Sequence, residues 1–124
     1  MSCLFRSLCS FISDTTPDLL RQLIVDYLKK DPTLYDDCKV SELLQYEHGV
    51  PATLSSYVAH MGSGTAWGGA IEIKAFCDIF KVRVIVHVLS TGQTIEFVPS
   101  SGPTPIAFNI SWNGSHFEPH FTKR

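Results

Sequence analysis

Three side chains at the two ends of the sequence carry the types that thiol chemistry needs: Cys3 near the start, His116 and Glu118 near the end. Ser2 is a helix N-cap candidate, and Leu4, Phe5, Leu8, Phe11 and Ile12 follow at helical spacing, so Cys3 falls at the first helical position. Backbone N–H groups at a helix start are unpaired, and the positive end of the dipole favours an anion there. A thiolate is the reactive form of cysteine, and it needs a base within reach and a group to orient that base. His116 follows the Asn113-Gly114 turn and opens a strand, which holds its ring on a rigid element. Glu118, two residues on, leaves the same strand face and can fix the imidazole tautomer. Asn113, in the turn, is the alternative third member. The plainer reading makes Cys3 one more small apolar residue of a core, and any chain with cysteine and histidine offers such a set.

The remaining candidates carry less chemistry. Cys9 and Cys77 fall within apolar helical patterns and should be buried and inert. The four cysteines, Cys3, Cys9, Cys38 and Cys77, form no CxxC pair and no zinc-spaced cluster with histidine. Free thiols suit a reducing compartment, the cytoplasm. No metal and no cofactor is expected. His48 and His60 are isolated near helix or loop ends and read as solvated or capping residues.

The elements that must position Cys3 and His116 follow from the pattern. The chain has 124 residues and a formal net charge of -2, the size and balance of one ordinary soluble domain. No basic stripe interleaved with aromatics suggests nucleic acid, and no apolar run reaches membrane-spanning length. The N-terminus, with Arg6 as its one basic residue, does not read as a signal peptide. Thr16 caps and Pro17 opens a second helix ending at Asp31-Pro32, with Leu19, Leu20, Leu23, Ile24, Tyr27 and Leu28 as one wide apolar face. Residues 32–50 are polar, with a brief helix expected over Ser41–Tyr46, and a further helix is expected over Pro51–Met61. Trp67-Gly68-Gly69 breaks the pattern before a helix over residues 70–80, and Glu72 in its first turn suits the dipole.

Strands follow. Val82–Leu89 reads as a strand mostly buried on both faces, Ser90–Gln93 as a hairpin turn, and Thr94–Val98 as the return. Pro105–Trp112 and Ser115–Pro119 flank the Asn113-Gly114 turn, and the Pro-rich stretch 99–105 is a surface connection. The class is α+β, with helices packed on a small, mostly antiparallel sheet.

Four segments resemble, in order, the ovarian-tumour (OTU) family of cysteine proteases, which cleave ubiquitin conjugates. Cys3-Leu4-Phe5-Arg6-Ser7-Leu8 resembles the nucleophile motif, and Leu20 to Leu28 resembles the "LR…DY(I/L)" helix. Tyr57 to Met61 with Trp67 to Ala75 resembles the "Y…M…WGG…E(I/L)…A" segment, and Asn113 to Glu118 resembles the terminal histidine motif. The resemblance implies a papain-type cysteine protease fold. It implies Cys3 as nucleophile, His116 as general base, and Glu118 or Asn113 as third member. Trp67, Gly68 and Gly69 become architecture, with Trp67 also a candidate for lining the substrate channel. The implied protein is a monomeric thiol (iso)peptidase acting on ubiquitin or a ubiquitin-like modifier. The alternatives are a catalytically inactive ubiquitin- or protein-binding module and a general peptidase without ubiquitin selectivity.

In the family an Asp-Gly-Asn tripeptide precedes the cysteine and helps form the oxyanion hole, whereas here Met1-Ser2 precede Cys3. Residues 1–124 are therefore expected to be one domain, cut or mis-started just before its nucleophile, unless the loop is truly absent. Losing one oxyanion donor typically costs on the order of a hundredfold in rate, so the coding sequence upstream of Met1 bears directly on activity.

Overall fold

The computed structural model describes residues 3–12, 14–35, 38–43, 53–62, 69–102, 104–114 and 116–119. Among the described residues five helices and six strands follow in order: α1 Cys3–Cys9, α2 Pro17–Leu28, β1 Thr33–Tyr35, β2 Cys38–Lys39, α3 Val40–Leu43, α4 Leu54–Gly62, α5 Ala70–Phe80, β3 Arg83–Val88, β4 Gln93–Phe97, β5 Ala107–Trp112 and β6 Phe117–Pro119. Helices pack against a four-stranded sheet of order β4-β3-β5-β6.

The capping chemistry works as the sequence predicts at α2, where Thr16 Oγ1 accepts the Leu19 N–H at 3.2 Å and Pro17 opens the helix. Its buried face is turned relative to the expected one. Leu20, Arg21, Ile24, Val25 and Leu28 are buried, while Leu19 and Leu23 are 62% and 44% exposed. The helix lies against α1, α4 and α5 on the side where Arg21 finds partners for its charge, and that side wins over the purely apolar one.

Thr53 caps α4, its Oγ1 accepting the Ser56 N–H at 3.2 Å. Residues 44–52, and with them His48 and the second half of the helix expected over Ser41–Tyr46, lie outside the described residues, while its first half falls within α3. The stretch read as merely polar contains an antiparallel ribbon of β1 and β2. After it, Asp31 accepts both the Ser41 N–H and the Ser41 hydroxyl, at 2.8 and 2.7 Å.

The sheet holds one correction to a run of antiparallel strands. β3 pairs antiparallel with β4, and β5 with β6, but β3 and β5 are parallel neighbours. The segment after β4 causes this by passing beneath the start of β3. Arg83 holds it there: its Nε donates to Thr104 O at 2.9 Å and its backbone N–H to Ile106 O at 2.8 Å. On the other flank Asp78 accepts the Ser100 N–H at 2.7 Å, and the buried Lys74 ammonium donates to Val98 O and, at 3.2 Å, to Asp78. β5 must then enter from the same end as β3.

β3 is also less buried than expected. Val84 and Val86 are fully inside, but Arg83, Ile85 and His87 are half-buried on the other face, where His87 Nε2 and Asn109 Oδ1 lie 2.9 Å apart. The inner face packs with α5, whose Phe76 ring lies 6.2 Å from that of Phe108. Phe108 in turn stacks on Phe11, just past α1, at 4.7 Å. Helix α1 is thereby fixed on the sheet as well as on α2.

Candidate active site

Helix α1 buries Leu4, Phe5, Ser7 and Leu8 and leaves Cys3 half-buried and Arg6 exposed. The Ser7 hydroxyl donates to Cys3 O at 2.8 Å, and the Ser10 hydroxyl to Ser7 O at 2.6 Å. α1 packs directly against β6. Between them lies a cleft of about 360 Å³ lined by Cys3, Arg6 and Ser7 from the helix and His116, Phe117, Glu118 and Pro119 from the strand side. Residues 113 positions apart in sequence thus face one water-accessible space.

The turn that delivers His116 is closed from both sides. The His116 N–H donates to Asn113 Oδ1 at 2.8 Å, and the Asn113 N–H donates to His116 O at 3.2 Å. Gly114 has φ +103°, a conformation that L side chains rarely adopt. Beyond the turn, Trp112 and Phe117 face each other across the strands with ring centroids 6.1 Å apart. β6 begins at Phe117, so His116 stands at its threshold and is exposed.

Cys3, His116 and Glu118 are therefore brought together. Glu118 is exposed on β6, and among the described residues its carboxylate takes part in no hydrogen bond or ion pair. Asn113 Oδ1 is engaged by the His116 backbone amide, which makes Asn113 a residue that shapes the turn. Trp67 and Gly68 lie outside the described residues. Gly69 occupies the N-cap of α5 and donates its N–H to Glu72 Oε1 at 2.7 Å. Among the described residues no group of three or more His, Cys, Asp or Glu could hold a metal ion, and no helix is long and apolar enough to cross a membrane.

Of the other cysteines, Cys77 is fully buried, and desolvation pushes its thiol up to about 12. Cys9 is only half-buried, its thiol donating to Thr15 O at 3.3 Å, so the expected burial holds for Cys77 and in part for Cys9. His60 is exposed in the last turn of α4.

Behind α1 sits a buried polar group that the sequence reading passed over in part. Glu72 is 1% exposed and accepts the Tyr57 hydroxyl as well as the Gly69 N–H. Burial raises its carboxyl from 4.5 to about 7, against the lowering effects of those hydrogen bonds and of the Arg21 charge. Arg21, 3% exposed, donates from Nη1 to Met61 O at 2.9 Å and lies 4.3 Å from the centroid of the Phe5 ring. Desolvation lowers the Arg21 pKa while Glu72 and Asp18 hold it up. Two residues of the cleft were legible by spacing alone: Arg6 and Ser7 follow Cys3 by three and four positions, on the same side of a helix.

Comparison with known proteins gives the family and the fold. The family model of the OTU-like cysteine proteases matches residues 2–113, and the chain belongs to that family. It is 32% identical over 126 residues to a protein of Invertebrate iridescent virus 3 named "Putative ubiquitin thioesterase 232R". That match covers 98% of this chain and 14% of the viral protein, so the chain spans about one-seventh of its curated relative. Among solved structures, an OTU domain in complex with ubiquitin superposes with a TM-score of 0.74 at 22% identity, over 95% of this chain and 62% of that one. An OTU deubiquitinase from Wolbachia pipientis wMel bound to ubiquitin gives 0.67 at 18% identity, over 95% and 88%. The fold is that of OTU domains.

Proposed function

We propose that this domain is a thiol-dependent deubiquitinase that cleaves ubiquitin or a ubiquitin-like modifier from its conjugates, with Cys3 as nucleophile and His116 as general base. The carrying observation is the shared cleft, in which a half-buried cysteine from α1 faces a histidine from the β6 turn. The family supports the cysteine-protease chemistry, and the ubiquitin named for its relatives supports the substrate class.

In the proposed cycle His116 takes the Cys3 proton and the thiolate attacks the carbonyl of the modifier's C-terminal glycine. The tetrahedral species collapses as the imidazolium returns that proton to the departing lysine ε-amine, leaving a thioester on Cys3. Water, deprotonated by His116, attacks the thioester and releases the modifier's carboxylate and the free thiol. Glu118 is the proposed orienting carboxylate. It lines the same cleft, and a side-chain rotation is what a strand-exposed glutamate needs to approach the imidazolium. Asn113, whose Oδ1 already holds the His116 backbone N–H, is the second candidate.

The test is hydrolysis of a fluorogenic amide of the ubiquitin C-terminus by the wild type and by Cys3→Ala, His116→Ala, Glu118→Ala and Asn113→Ala. The first two variants should lose turnover, and Glu118→Ala should lose more than Asn113→Ala. Wild-type turnover that survives Cys3→Ala refutes the assignment, and a folded wild type that binds ubiquitin without turnover favours a binding module.

A further inference from the structure

We infer that Arg21 is a positioning residue for the nucleophile helix, holding α1, and so Cys3, against the β6 cleft; this rests on the proposed role of Cys3. The observations that carry it converge on one buried guanidinium. Arg21 is 3% exposed, although arginine is almost never buried without a purpose for its charge. It leaves α2 and is anchored on α4 by Nη1 donating to Met61 O at 2.9 Å. The Glu72 carboxylate of α5 supplies the opposing charge, and Glu72 is itself held by Tyr57 of α4 and the Gly69 amide.

One contact remains, and it points at α1. The guanidinium carbon stands 4.3 Å from the centroid of the Phe5 ring, a cation–π arrangement with a ring that is wholly buried. Phe5 is two residues past Cys3 on a helix of seven residues, so a tilt of the ring is a tilt of the nucleophile. α1 is too short to hold a fixed orientation by its own hydrogen bonds. Its placement comes from what it packs on, and Arg21 joins it to α2, α4 and α5 at one point. An apolar side chain in place of Arg21 could fill the space, but it would lack the charge that seats on the ring and the donor that fixes the guanidinium on Met61 O.

The experiment compares wild type, Arg21→Lys, Arg21→Met and Phe5→Leu. The readouts are thermal melting, labelling of Cys3 by a ubiquitin probe bearing a C-terminal vinyl electrophile, kcat and KM with a fluorogenic ubiquitin amide, and hydrogen exchange of the α1 amides against those of α2 and α5. Below its melting temperature, Arg21→Met should label about ten- to a hundredfold more slowly, the range expected when a reacting atom is misplaced by an ångström or less. The loss should fall on kcat with KM unchanged, α1 should lose exchange protection ahead of α2 and α5, and Arg21→Lys should recover part of the rate. Phe5→Leu, with Arg21 intact, should give the same signature, and it decides the question if Arg21→Met does not fold. A folded Arg21→Met with wild-type labelling and α1 protection overturns the inference, as does a loss of protection shared equally by all three helices. If the wild type itself is not labelled, the proposed function fails; the α1 exchange pattern and the rate of Cys3 alkylation by iodoacetamide then judge the role of Arg21 alone.

Discussion

Replacing Glu72 by glutamine should make the protein more stable at neutral pH, against the usual outcome for a buried, hydrogen-bonded residue. Two effects compete at this site. Tyr57, Gly69 and Arg21 all favour the carboxylate, and desolvation opposes it. Desolvation is the largest, and it lifts the group from 4.5 to about 7 in the folded protein. The sign follows from proton binding. Between pH 4.5 and about 7 the unfolded chain has lost this proton and the folded chain keeps it, so folding becomes less favourable as pH rises through that window. The stabilising effect of the raised value is complete below 4.5 and gone above about 7. At 1.36 kcal/mol per pH unit, the full change is about 3 kcal/mol.

Glutamine keeps an oxygen for the Gly69 N–H and carries no charge, so it should follow the wild type in acid and exceed it at pH 8 by about 3 kcal/mol. Urea unfolding of both proteins from pH 4 to pH 8, read as the difference in unfolding free energy, isolates Glu72 from all other titrating groups. A difference that does not change with pH, or a glutamine variant less stable at pH 8, contradicts a Glu72 carboxyl raised by desolvation. The second result means that the attraction between the Arg21 and Glu72 charges outweighs desolvation of the carboxylate.

Brief treatment of native protein with iodoacetamide should modify Cys3 first and leave Cys77 untouched until unfolding, as mass mapping will show, because Cys77 is buried and its thiol lies at about 12. Thr16→Ala removes the cap acceptor of the Leu19 N–H and should cost about 1 kcal/mol in denaturant unfolding with little effect on turnover. Gly114→Ala forces an alanine to φ +103° in the turn that presents His116; it should cost about 1–2 kcal/mol and lower kcat more than KM, which steady-state assays with the ubiquitin amide will separate.

Local signals made most of the elements legible. Thr16-Pro17 marks the start of α2 through a cap and a residue preset for the first helical turn. The helix over residues 70–80 and the turn before His116 follow from periodicity and from Asn113-Gly114 in the same way. What stayed hidden depends on partners far away in the chain. The parallel pairing of β3 with β5 is set by Arg83, Lys74 and Asp78 gripping the connecting segment, and no spacing within either strand records it. The rotation of α2 comes from Arg21 reaching Met61 and Phe5, forty and sixteen positions away. Within the site, Cys3 and His116 could be picked out because their chemistry is tied to a helix start and a turn. Phe117 and Pro119 line the cleft only because α1 lies on β6.

In the proposed reaction Cys3 attacks the C-terminal carbonyl of ubiquitin with His116 as its base. The most direct measurement is covalent capture: native protein incubated with a ubiquitin probe ending in an electrophile, then intact-mass analysis and peptide mapping. One ubiquitin adduct per chain is expected, mapped to Cys3, abolished by Cys3→Ala and strongly slowed by His116→Ala. An adduct on Cys9 or Cys38, or one on Cys3 that forms at the same rate without His116, contradicts it.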